Sequence, residues 1–472
     1  MTTYNPTELA VEAGRASFIT GDVRDVLATI PDGSVDLVLT SPPFLALRSY
    51  LPADHPDKHR EIGSEPDPAS FLATLLGLAA EWRRVLAPHG SICVELGDTY
   101  SGSGGGGGDY LEGGMREGQQ QFAGSAASMR ESNAQHWRNK AANKSAWPLP
   151  KSLCGIPHLF HLSLAYGRNL LTGEPCEPWR VRNVVAWCRP NPPVGALGDK
   201  FRPATSYMTI ACPSGSRYFD LDAVREMGKT GARVMRQGGR DGMTDNAGVL
   251  TPRAGDCANN PAGAPPLDWW EIPTTPYSGA HYAAWPPALL ERPIKSMVPS
   301  KVCTVCGEPS RRIVGPYTLD AYRRSDRPQT IRAVALADEA GLTDEHIAAV
   351  RAFGTSDAGK APDLNSGAGK NSDAVKALAA EAKAVLGGYF REFVMGTNAA
   401  PTSSFTDCGH NAWRPGIVLD PFGGSGTTLA VATGHGHHAI GIDLDARNVH
   451  LARERVGPMF LDEFTLDEWK NR

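Results

Sequence analysis

Long hydrophobic runs and an excess of positive charge are both missing from this sequence. Its 472 residues contain no uncharged apolar stretch of about 18 residues and no basic-then-apolar leader at the amino terminus. We therefore expect no membrane partner and a cytoplasmic protein. Because 47 Lys and Arg are set against 51 Asp and Glu, for a net charge of −4, any polyanionic partner must be met by local basic segments.

A disulfide pattern is missing as well. The nine cysteines are an odd number, are scattered over a long chain and follow no secretion signal. They are therefore interpreted as reduced thiols. The chain is long enough for about three domains at a prior of roughly 150 residues each. With 41% hydrophobic and 21% charged residues, it is not a wholly disordered protein.

Short strand patterns alternate with helical patterns near both ends of the chain. Residues 35–40 and 91–96 have the apolar runs of buried strands, and residues 69–86 between them have helical spacing. The same alternation returns over residues 416–442. This order predicts an α/β protein with a Rossmann-like, doubly wound parallel sheet.

A glycine-rich turn follows the strand pattern that ends at Asp420. Gly424 and Gly426 would let the backbone approach a ligand closely, and Thr427 opens a helical pattern. In Rossmann-like units a carboxylate about 20 residues beyond the first glycine meets ribose hydroxyls, and Asp443 has that spacing. An adenosine-type cofactor is therefore predicted. The turn lacks the Lys-Ser/Thr ending of a P-loop, which disfavours nucleotide hydrolysis.

A second motif, Ser41-Pro42-Pro43-Phe44, follows the strand pattern of residues 35–40. Two prolines remove two N–H donors, so neighbouring carbonyls can act as acceptors while Phe44 presents an aromatic face. Such a site suits an amino group on a flat ring. Acceptors for the amino hydrogens draw the nitrogen lone pair out of conjugation and make the amine a better nucleophile. A simple Pro-Pro strand terminator is the alternative interpretation.

Together the two motifs resemble those of the β group of DNA amino-methyltransferases, which use S-adenosylmethionine. In that family Asp-Pro-Phe-x-Gly-x-Gly is the cofactor loop, matched here by residues 420–426. The catalytic loop is (Asp/Asn/Ser)-Pro-Pro-(Tyr/Phe), matched by residues 41–44. The catalytic motif precedes the cofactor motif, as in the circularly permuted order of the β group. The flanking segments around Asp22, 83–100 and 268–294 are similar as well.

The resemblance implies a role for each motif residue. The implied catalytic residues are Ser41, Pro42, Pro43 and Phe44, and the implied cofactor-binding residues are Asp22, Asp420, Phe422, Gly424, Gly426, Thr427 and Asp443. It also implies double-stranded DNA as the partner, with the target base flipped out of the duplex and stacked on Phe44. A bacterial or phage origin, a homodimer and a cognate restriction nuclease are further expectations.

The residue patterns and the resemblance together divide the chain. The resemblance covers about 1–100, 150–300 and 410–457, and the remaining parts are predicted from composition and helical spacing. The expected parts are a catalytic half of the methyltransferase domain at 1–100, a flexible glycine-rich loop at 101–149, the rest of the sheet with basic target-recognition elements at 150–300, a zinc knuckle with a helical insertion at 301–410, and a cofactor-binding half at 411–472.

The target atom is predicted from the first residue of the catalytic motif. Serine at the first motif position resembles members that methylate cytosine N4, and adenine N6 is the alternative. A methyltransferase acting on RNA or a protein amide, or a DNA-binding protein with an inactive site, are further alternatives. Cytosine C5 methylation is rejected, because it needs a cysteine nucleophile and Cys176 lacks the rest of that family's pattern.

Four residues outside these motifs have the chemistry of a zinc site. Cys303 and Cys306 form a Cys-x₂-Cys pair, and Cys408 and His410 follow beyond the predicted helical insertion. We predict a structural zinc ion there, with reduced structural thiols as the alternative.

Two segments carry a local basic charge. Residues 132–198 hold eight bases against two acids, and residues 225–240 hold five bases against one acid. We expect both segments to contact DNA phosphates. By contrast, His435, His437 and His438 are interpreted as part of a surface turn.

Overall fold

The computed structural model describes most of the chain. The described residues are 14–47, 50–51, 54–101, 146–192, 200–226, 264–274, 285–314, 319–323, 328–353, 373–395 and 401–471. The predicted flexible loop lies almost wholly outside them, as does most of the basic segment at 225–240. No helix within these ranges is long and apolar enough to cross a membrane.

The chain forms two compact units. The first consists of Met1–Val224, Leu267–Arg311 and Asp407–Arg472, and the second of Arg225–Pro266 and Arg312–Thr406. The helical part of the predicted 301–410 insertion therefore belongs to the second unit, whereas the four predicted zinc ligands belong to the first.

The first unit contains a nine-stranded sheet, a two-stranded ribbon and the helices that cover the sheet. Its strands are β1 (Ala16–Thr20), β2 (Val35–Thr40), β3 (Leu86–Leu96), β4 (Arg180–Cys188), β5 (Thr205–Cys212), β6 (Trp269–Glu271), β7 (Val302–Cys303), β10 (Trp413–Arg414), β11 (Ile417–Asp420), β12 (His438–Asp443) and β13 (Leu461–Thr465). Its helices are α1 (Val23–Leu27), α2 (Pro68–Val85), α3 (Ile156–Tyr166), α4 (Pro287–Met297), α10 (Thr427–Gly434), α11 (Arg447–Val456) and α12 (Leu466–Lys470).

The strand order of the large sheet is β13-β1-β12-β11-β2-β3-β5-β4-β6. The first six strands of that order pair in parallel, and β5 runs antiparallel to both β3 and β4. Strand β11, late in the chain, pairs directly with β2, so the two halves predicted from the sequence form one sheet. The prediction of a permuted, doubly wound α/β fold is confirmed.

The sheet is covered on both faces, which explains why its strands are apolar runs without polar alternation. Within β2, Val38 belongs to one hydrophobic core, together with Phe71 of α2 and Phe160 of α3. Its neighbours Leu37 and Leu39 belong to the other core, which includes residues of α4, α10 and α11. Successive side chains of a strand point to opposite faces, so one short run supplies both cores.

The second unit is a small helical cluster with a two-stranded ribbon. It contains β8 (Arg312–Val314), α5 (Leu319–Arg323), α6 (Pro328–Glu339), α7 (Asp344–Phe353), α8 (Asp373–Leu386), α9 (Phe390–Met395) and β9 (Pro401–Phe405). Tyr322, Phe390 and Phe393 are fully buried in its core, and the Tyr322 hydroxyl donates to the Phe393 carbonyl at 2.8 Å. Helices occupy most of the described residues between Leu319 and Met395.

Two local interpretations were wrong. The strand predicted at residues 91–96 begins earlier, because α2 ends at Val85 and β3 starts directly at Leu86. His437 and His438 are buried beside the start of β12 and do not lie on a surface turn, and burial lowers the pKa of both imidazoles.

Candidate cofactor and catalytic site

The glycine-rich motif and the Ser-Pro-Pro-Phe motif lie side by side at the carboxyl edge of the parallel strands. They follow the neighbouring strands β11 and β2, whose helical connections leave the sheet in opposite directions. Such a switch point is where open α/β sheets bind ligands. The hydroxyl of Thr40, the last residue of β2, donates to the Asp420 carboxylate at 2.6 Å and joins the two strand ends.

The glycine-rich turn has the backbone shape that its glycines predict. Gly424 and Gly426 adopt φ angles of 48° and 74°, in the left-handed region that favours glycine. The Gly423 amide donates to the Ile442 carbonyl of β12 at 2.7 Å. A Cβ atom on Gly426 would lie 2.8 Å from the Ala452 Cβ, so α11 requires glycine there. The turn therefore brings bare backbone to the sheet edge.

Asp443 ends β12 beside this turn. Its carboxylate accepts the Gly424 amide at 2.8 Å and the Asp445 amide at 2.8 Å. Burial, reinforced by the charge of Asp445, raises the pKa of Asp443 to about 6. The Asn448 side chain is a third hydrogen-bond partner of this carboxylate. Because a carboxylate has about four lone-pair sites, one remains for a hydroxyl donor of a ligand. This arrangement suits the ribose of an adenosine-type cofactor.

Three other predicted cofactor residues have protein partners in the structure. The Asp420 carboxylate accepts from Thr40, from the Thr428 hydroxyl at 2.5 Å and from the Phe422 amide at 3.1 Å. It therefore holds the turn in place from beneath. Thr427 is buried and accepts a hydrogen bond from Arg455, while Phe422 packs half-buried against the core.

Asp22 lies at the end of the adjacent strand β1. It caps α1 through the Arg24 amide at 2.8 Å and pairs with the guanidinium groups of Arg24 and Arg60. Burial opposes its charge, but these arginine contacts are stronger together and lower the pKa of Asp22. The Gly21 amide donates to the Asp443 carbonyl at 2.9 Å, so the two acids lie on neighbouring strand ends.

The Ser-Pro-Pro-Phe loop is fixed by close contacts with two glycines. The Phe44 ring lies against Gly97 at the end of β3, where an added Cβ would come within 2.4 Å of the ring carbon Cε2. Gly63, at a φ of 93°, lies under the Phe44 carbonyl and Pro43. Pro42 is buried, whereas Ser41, Pro43 and Phe44 keep partial exposure.

Glu95 is a residue of this site that the sequence interpretation missed. The Ser41 hydroxyl donates to Glu95 Oε2 at 2.6 Å, and the Glu95 side chain is only 3% exposed. Burial raises the pKa of Glu95, although the hydroxyls of Ser206 and Ser41 and the charge of Arg189 lower it in part. A buried carboxylate of raised pKa beside a candidate catalytic serine is a candidate proton acceptor. Its only sequence signal is an acid inside the apolar run of β3.

The four predicted zinc ligands come together elsewhere in the first unit. The ligand atoms of Cys303, Cys306, Cys408 and His410 all lie within 4.8 Å of one another. Burial opposes ionisation of Cys303, but hydrogen bonds from the Cys306 and Val305 amides and from two neighbouring thiols lower the pKa of Cys303 to about 6.

Comparison with known proteins identifies the class that this fold and site define. A family described as DNA methylase, of the N6 and N4 type, matches residues 35–302 and 412–454, which together are more than half of the chain. The chain belongs to this DNA methylase family. It is an S-adenosylmethionine-dependent DNA amino-methyltransferase, as the motifs predicted.

Individual relatives are more distant. The chain is 25% identical over 280 residues to the type II methyltransferase M.Cfr9I of Citrobacter freundii, covering 59% of this chain and 72% of the relative. It is 22% identical over 323 residues to M.SmaI of Serratia marcescens, covering 66% and 84%. A solved structure of the cytosine-N4-specific PvuII DNA methyltransferase aligns over 97% of this chain and 96% of that one, with 12% identity and a TM-score of 0.41.

Proposed function

We propose that this enzyme methylates the N4 amine of cytosine in double-stranded DNA, with Ser41, Pro42, Pro43 and Phe44 as its catalytic residues. The observation that carries the proposal is the Ser41 hydroxyl hydrogen-bonded to buried Glu95 beside the glycine-rich turn. Cytosine is preferred to adenine because serine in the first motif position resembles the N4 members.

Ser41 can hold an amino hydrogen of the target base. The Ser41 hydroxyl hydrogen is already used in the hydrogen bond to Glu95. The lone pairs of the Ser41 oxygen therefore remain available to accept hydrogen bonds. A second acceptor from a carbonyl of the Pro-Pro segment would bind the other amino hydrogen. Two acceptors shift the amine toward a tetrahedral nitrogen with a usable lone pair, and this interaction strengthens as the nitrogen develops positive charge.

Glu95 can take the proton that the amine must lose. Bound S-adenosylmethionine supplies an electrophilic methyl group on a sulfonium; the C–S bond breaks, the N–CH₃ bond forms and a neutral thioether remains. The nitrogen then carries one proton too many, which Ser41 accepts while passing its own to Glu95. The raised pKa of Glu95 favours that transfer over the transfer to an ordinary exposed carboxylate.

The site lies at the carboxyl ends of the central parallel strands, and a paired base cannot reach it without leaving the duplex. We propose that the base flips out and stacks on Phe44. Exposed Arg168, Arg180 and Arg182 of the basic segment support contacts with the phosphates around the flipped base. Arg233, Arg236 and Arg240 of the second basic segment lie outside the described residues.

The proposal is tested by transfer of tritiated methyl groups from S-adenosylmethionine to duplex DNA, followed by digestion and nucleoside chromatography. We expect label in N4-methylcytosine. Label only in N6-methyladenine would contradict the base assignment and leave the site chemistry intact. Label in 5-methylcytosine would contradict the catalytic loop itself, and transfer to RNA or protein without transfer to DNA would contradict the substrate class.

For cofactor binding we propose the glycine-rich turn and the acids around it, namely Asp22, Asp420, Phe422, Gly424, Gly426, Thr427 and Asp443. These residues fit an adenosine group, since one acceptor site of the Asp443 carboxylate is left for a ribose hydroxyl. Asp420 and Thr427 would act by holding the turn, because their side-chain oxygens already have protein partners.

Asp443→Asn is expected to weaken S-adenosylmethionine binding by about tenfold, because a charge-assisted hydroxyl contact becomes a neutral one. The parent protein should also lose affinity as the pH falls below about 6, the raised pKa of Asp443, since the protonated acid is a poorer acceptor. Calorimetry across that pH range measures both effects. Unchanged affinity in a folded Asn variant, with the same pH profile as the parent, would reject the ribose contact.

The further expectations of the resemblance remain predictions: a homodimer, a cognate restriction nuclease, and a cytoplasmic enzyme of bacterial or phage origin.

A further inference from the structure

A cluster of three thiols and one imidazole lies in the first unit, away from the catalytic loop. Two short turns bring its members together. Cys303 and Cys306 flank a tight turn in which the Val305 amide donates to the Cys303 sulfur at 3.4 Å, and Gly307 follows with a φ of 72°. Gly409, at a φ of 80°, makes the second turn between Cys408 and His410.

The two turns are joined to each other by backbone hydrogen bonds. The Thr304 amide donates to the Ala412 carbonyl at 3.0 Å, and β7 pairs with β10 so that Cys303 is opposite Trp413. The Cys303 sulfur lies 3.6 Å from His410 Nδ1. All four ligand atoms fall within 4.8 Å of one another. Tetrahedral zinc bonds of about 2.0–2.3 Å require separations of roughly 3.5–3.8 Å, so side-chain movements of about 1 Å bring all four ligands around one ion.

We propose that Cys303, Cys306, Cys408 and His410 bind one structural zinc ion. Three thiolates and an imidazole in tetrahedral reach favour zinc over magnesium or calcium, which prefer oxygen ligands. Four protein ligands leave no open position for a substrate, so the ion has no catalytic role.

The position of the cluster in the fold defines what the ion stabilises. The chain leaves the first unit after Arg311 and returns to it at Asp407, so one ligand pair precedes this long excursion and the other follows it. An ion bound to both pairs ties the two ends of the excursion together. A cross-link that closes a long loop removes much conformational freedom from the unfolded chain.

The cluster is also connected to the sheet, but at the end remote from catalysis. Arg414 of β10 pairs with the fully buried Asp36 at 2.6 Å, and the Ile417 amide donates to the same carboxylate at 2.7 Å. Asp36 lies near the start of β2, whereas Ser41 follows its end, about 17 Å away along an extended strand. Loss of the ion should therefore lower stability without altering the catalytic loop directly.

Elemental analysis of the full-length protein, purified without chelator, is expected to give about one zinc per chain. Cys408→Ser should lose that zinc, and its thermal midpoint should fall by about 5–10 °C. The matched control is Cys176→Ser, a similarly half-buried thiol outside the cluster, which should keep both the zinc and the thermal midpoint.

A second measurement does not depend on variants. Zinc should be released from the parent protein by a thiol-blocking mercurial and detected with a metal indicator, and a chelated sample should recover its thermal midpoint when zinc is added back. At a temperature where the zinc-free protein stays folded, its affinity for S-adenosylmethionine should differ from that of the zinc-bound protein by less than about twofold. A parent protein that holds no zinc, binds none when it is added and has the same thermal midpoint with or without it would overturn the proposal. Stoichiometric iron instead of zinc would do so as well.

Discussion

Replacing Glu95 with Gln is expected to lower kcat by about 10² to 10⁴ while S-adenosylmethionine binding stays near the parental value. The amide oxygen of Gln can still accept the Ser41 hydrogen bond, so the catalytic loop keeps its main contact. The amide cannot take up a proton at any working pH. The expected loss of kcat therefore measures the role of Glu95 as a proton acceptor, separately from its role in positioning the catalytic loop.

The pH dependence distinguishes this role from a structural one. In the parent enzyme kcat should fall as the pH drops through the pKa of Glu95, which burial raises from its ordinary value, because the protonated acid can no longer accept a proton. The Glu95→Gln variant should not show this fall of kcat at low pH. The matched control is Glu174→Gln at an exposed position, which should keep both the parental kcat and its fall at low pH.

A double variant adds an independent check. If Ser41 and Glu95 act as one relay, Ser41→Ala combined with Glu95→Gln should cost little more than the worse single change. If the losses in kcat from the two changes multiply fully in the double variant, Glu95 only supports the loop. The same conclusion follows if Glu95→Gln keeps the parental kcat and the parental fall of kcat at low pH.

The sequence predicted the parts of the site that are encoded locally. A strand followed by Gly424 and Gly426 and then a helix is a contiguous pattern, and parallel strands place their carboxyl ends at one edge. The β11 and β2 loops lie side by side because β11 pairs with β2, and the permuted motif order places both motifs in one sheet. These features need only the chain order and general sheet rules, so they were within reach of sequence reasoning.

Glu95 was out of reach for a different reason. Its contact with Ser41 depends on the register of β2 against β3, in which Thr40 is opposite Val94, so the next residues of both strands become neighbours. That register includes a shift between Val35 and Leu37, and it belongs to a strand that begins at Leu86, earlier than the predicted strand at residues 91–96. Strand register is set by tertiary pairing, which a local pattern does not contain.

The sequence pattern did not predict the burial of His437 and His438, for a similar reason. Polar residues next to glycines are typical of surface turns. Here the turn leads straight into β12, a central strand, and the His438 amide donates to the Gly416 carbonyl of the neighbouring segment at 3.0 Å. The position of a strand in the sheet, which is a property of the whole fold, decides whether its first residues are exposed.

The position of Phe44 depends on the absence of a side chain at residue 97. An alanine Cβ there would lie 2.4 Å from Cε2 and 2.9 Å from Cδ2 of the Phe44 ring, closer than real carbon atoms approach. The φ angle of Gly97 is not in the left-handed region, so the backbone itself accepts alanine. The ring must therefore move, and with it the platform that we propose for the flipped base.

Gly97→Ala is accordingly expected to lower kcat about 100-fold, since a displacement of about 1 Å at a reacting centre can cost that much. S-adenosylmethionine affinity should remain near parental, because the glycine-rich turn lies on the other side of β2. Steady-state kinetics on duplex DNA and calorimetry with the cofactor measure the two quantities. The control is Gly77→Ala on the exposed face of α2, where an added Cβ meets nothing within 4 Å.

The decisive comparison uses the Phe44→Ala background. Removing the ring should itself cost about 1–3 kcal/mol of stacking on the base. It also removes the obstacle to a methyl group at residue 97, so adding Gly97→Ala to Phe44→Ala should cost almost nothing more. If the two losses instead multiply in the double variant, Gly97 acts through something other than the Phe44 ring, and the contact between them does not set the catalytic geometry.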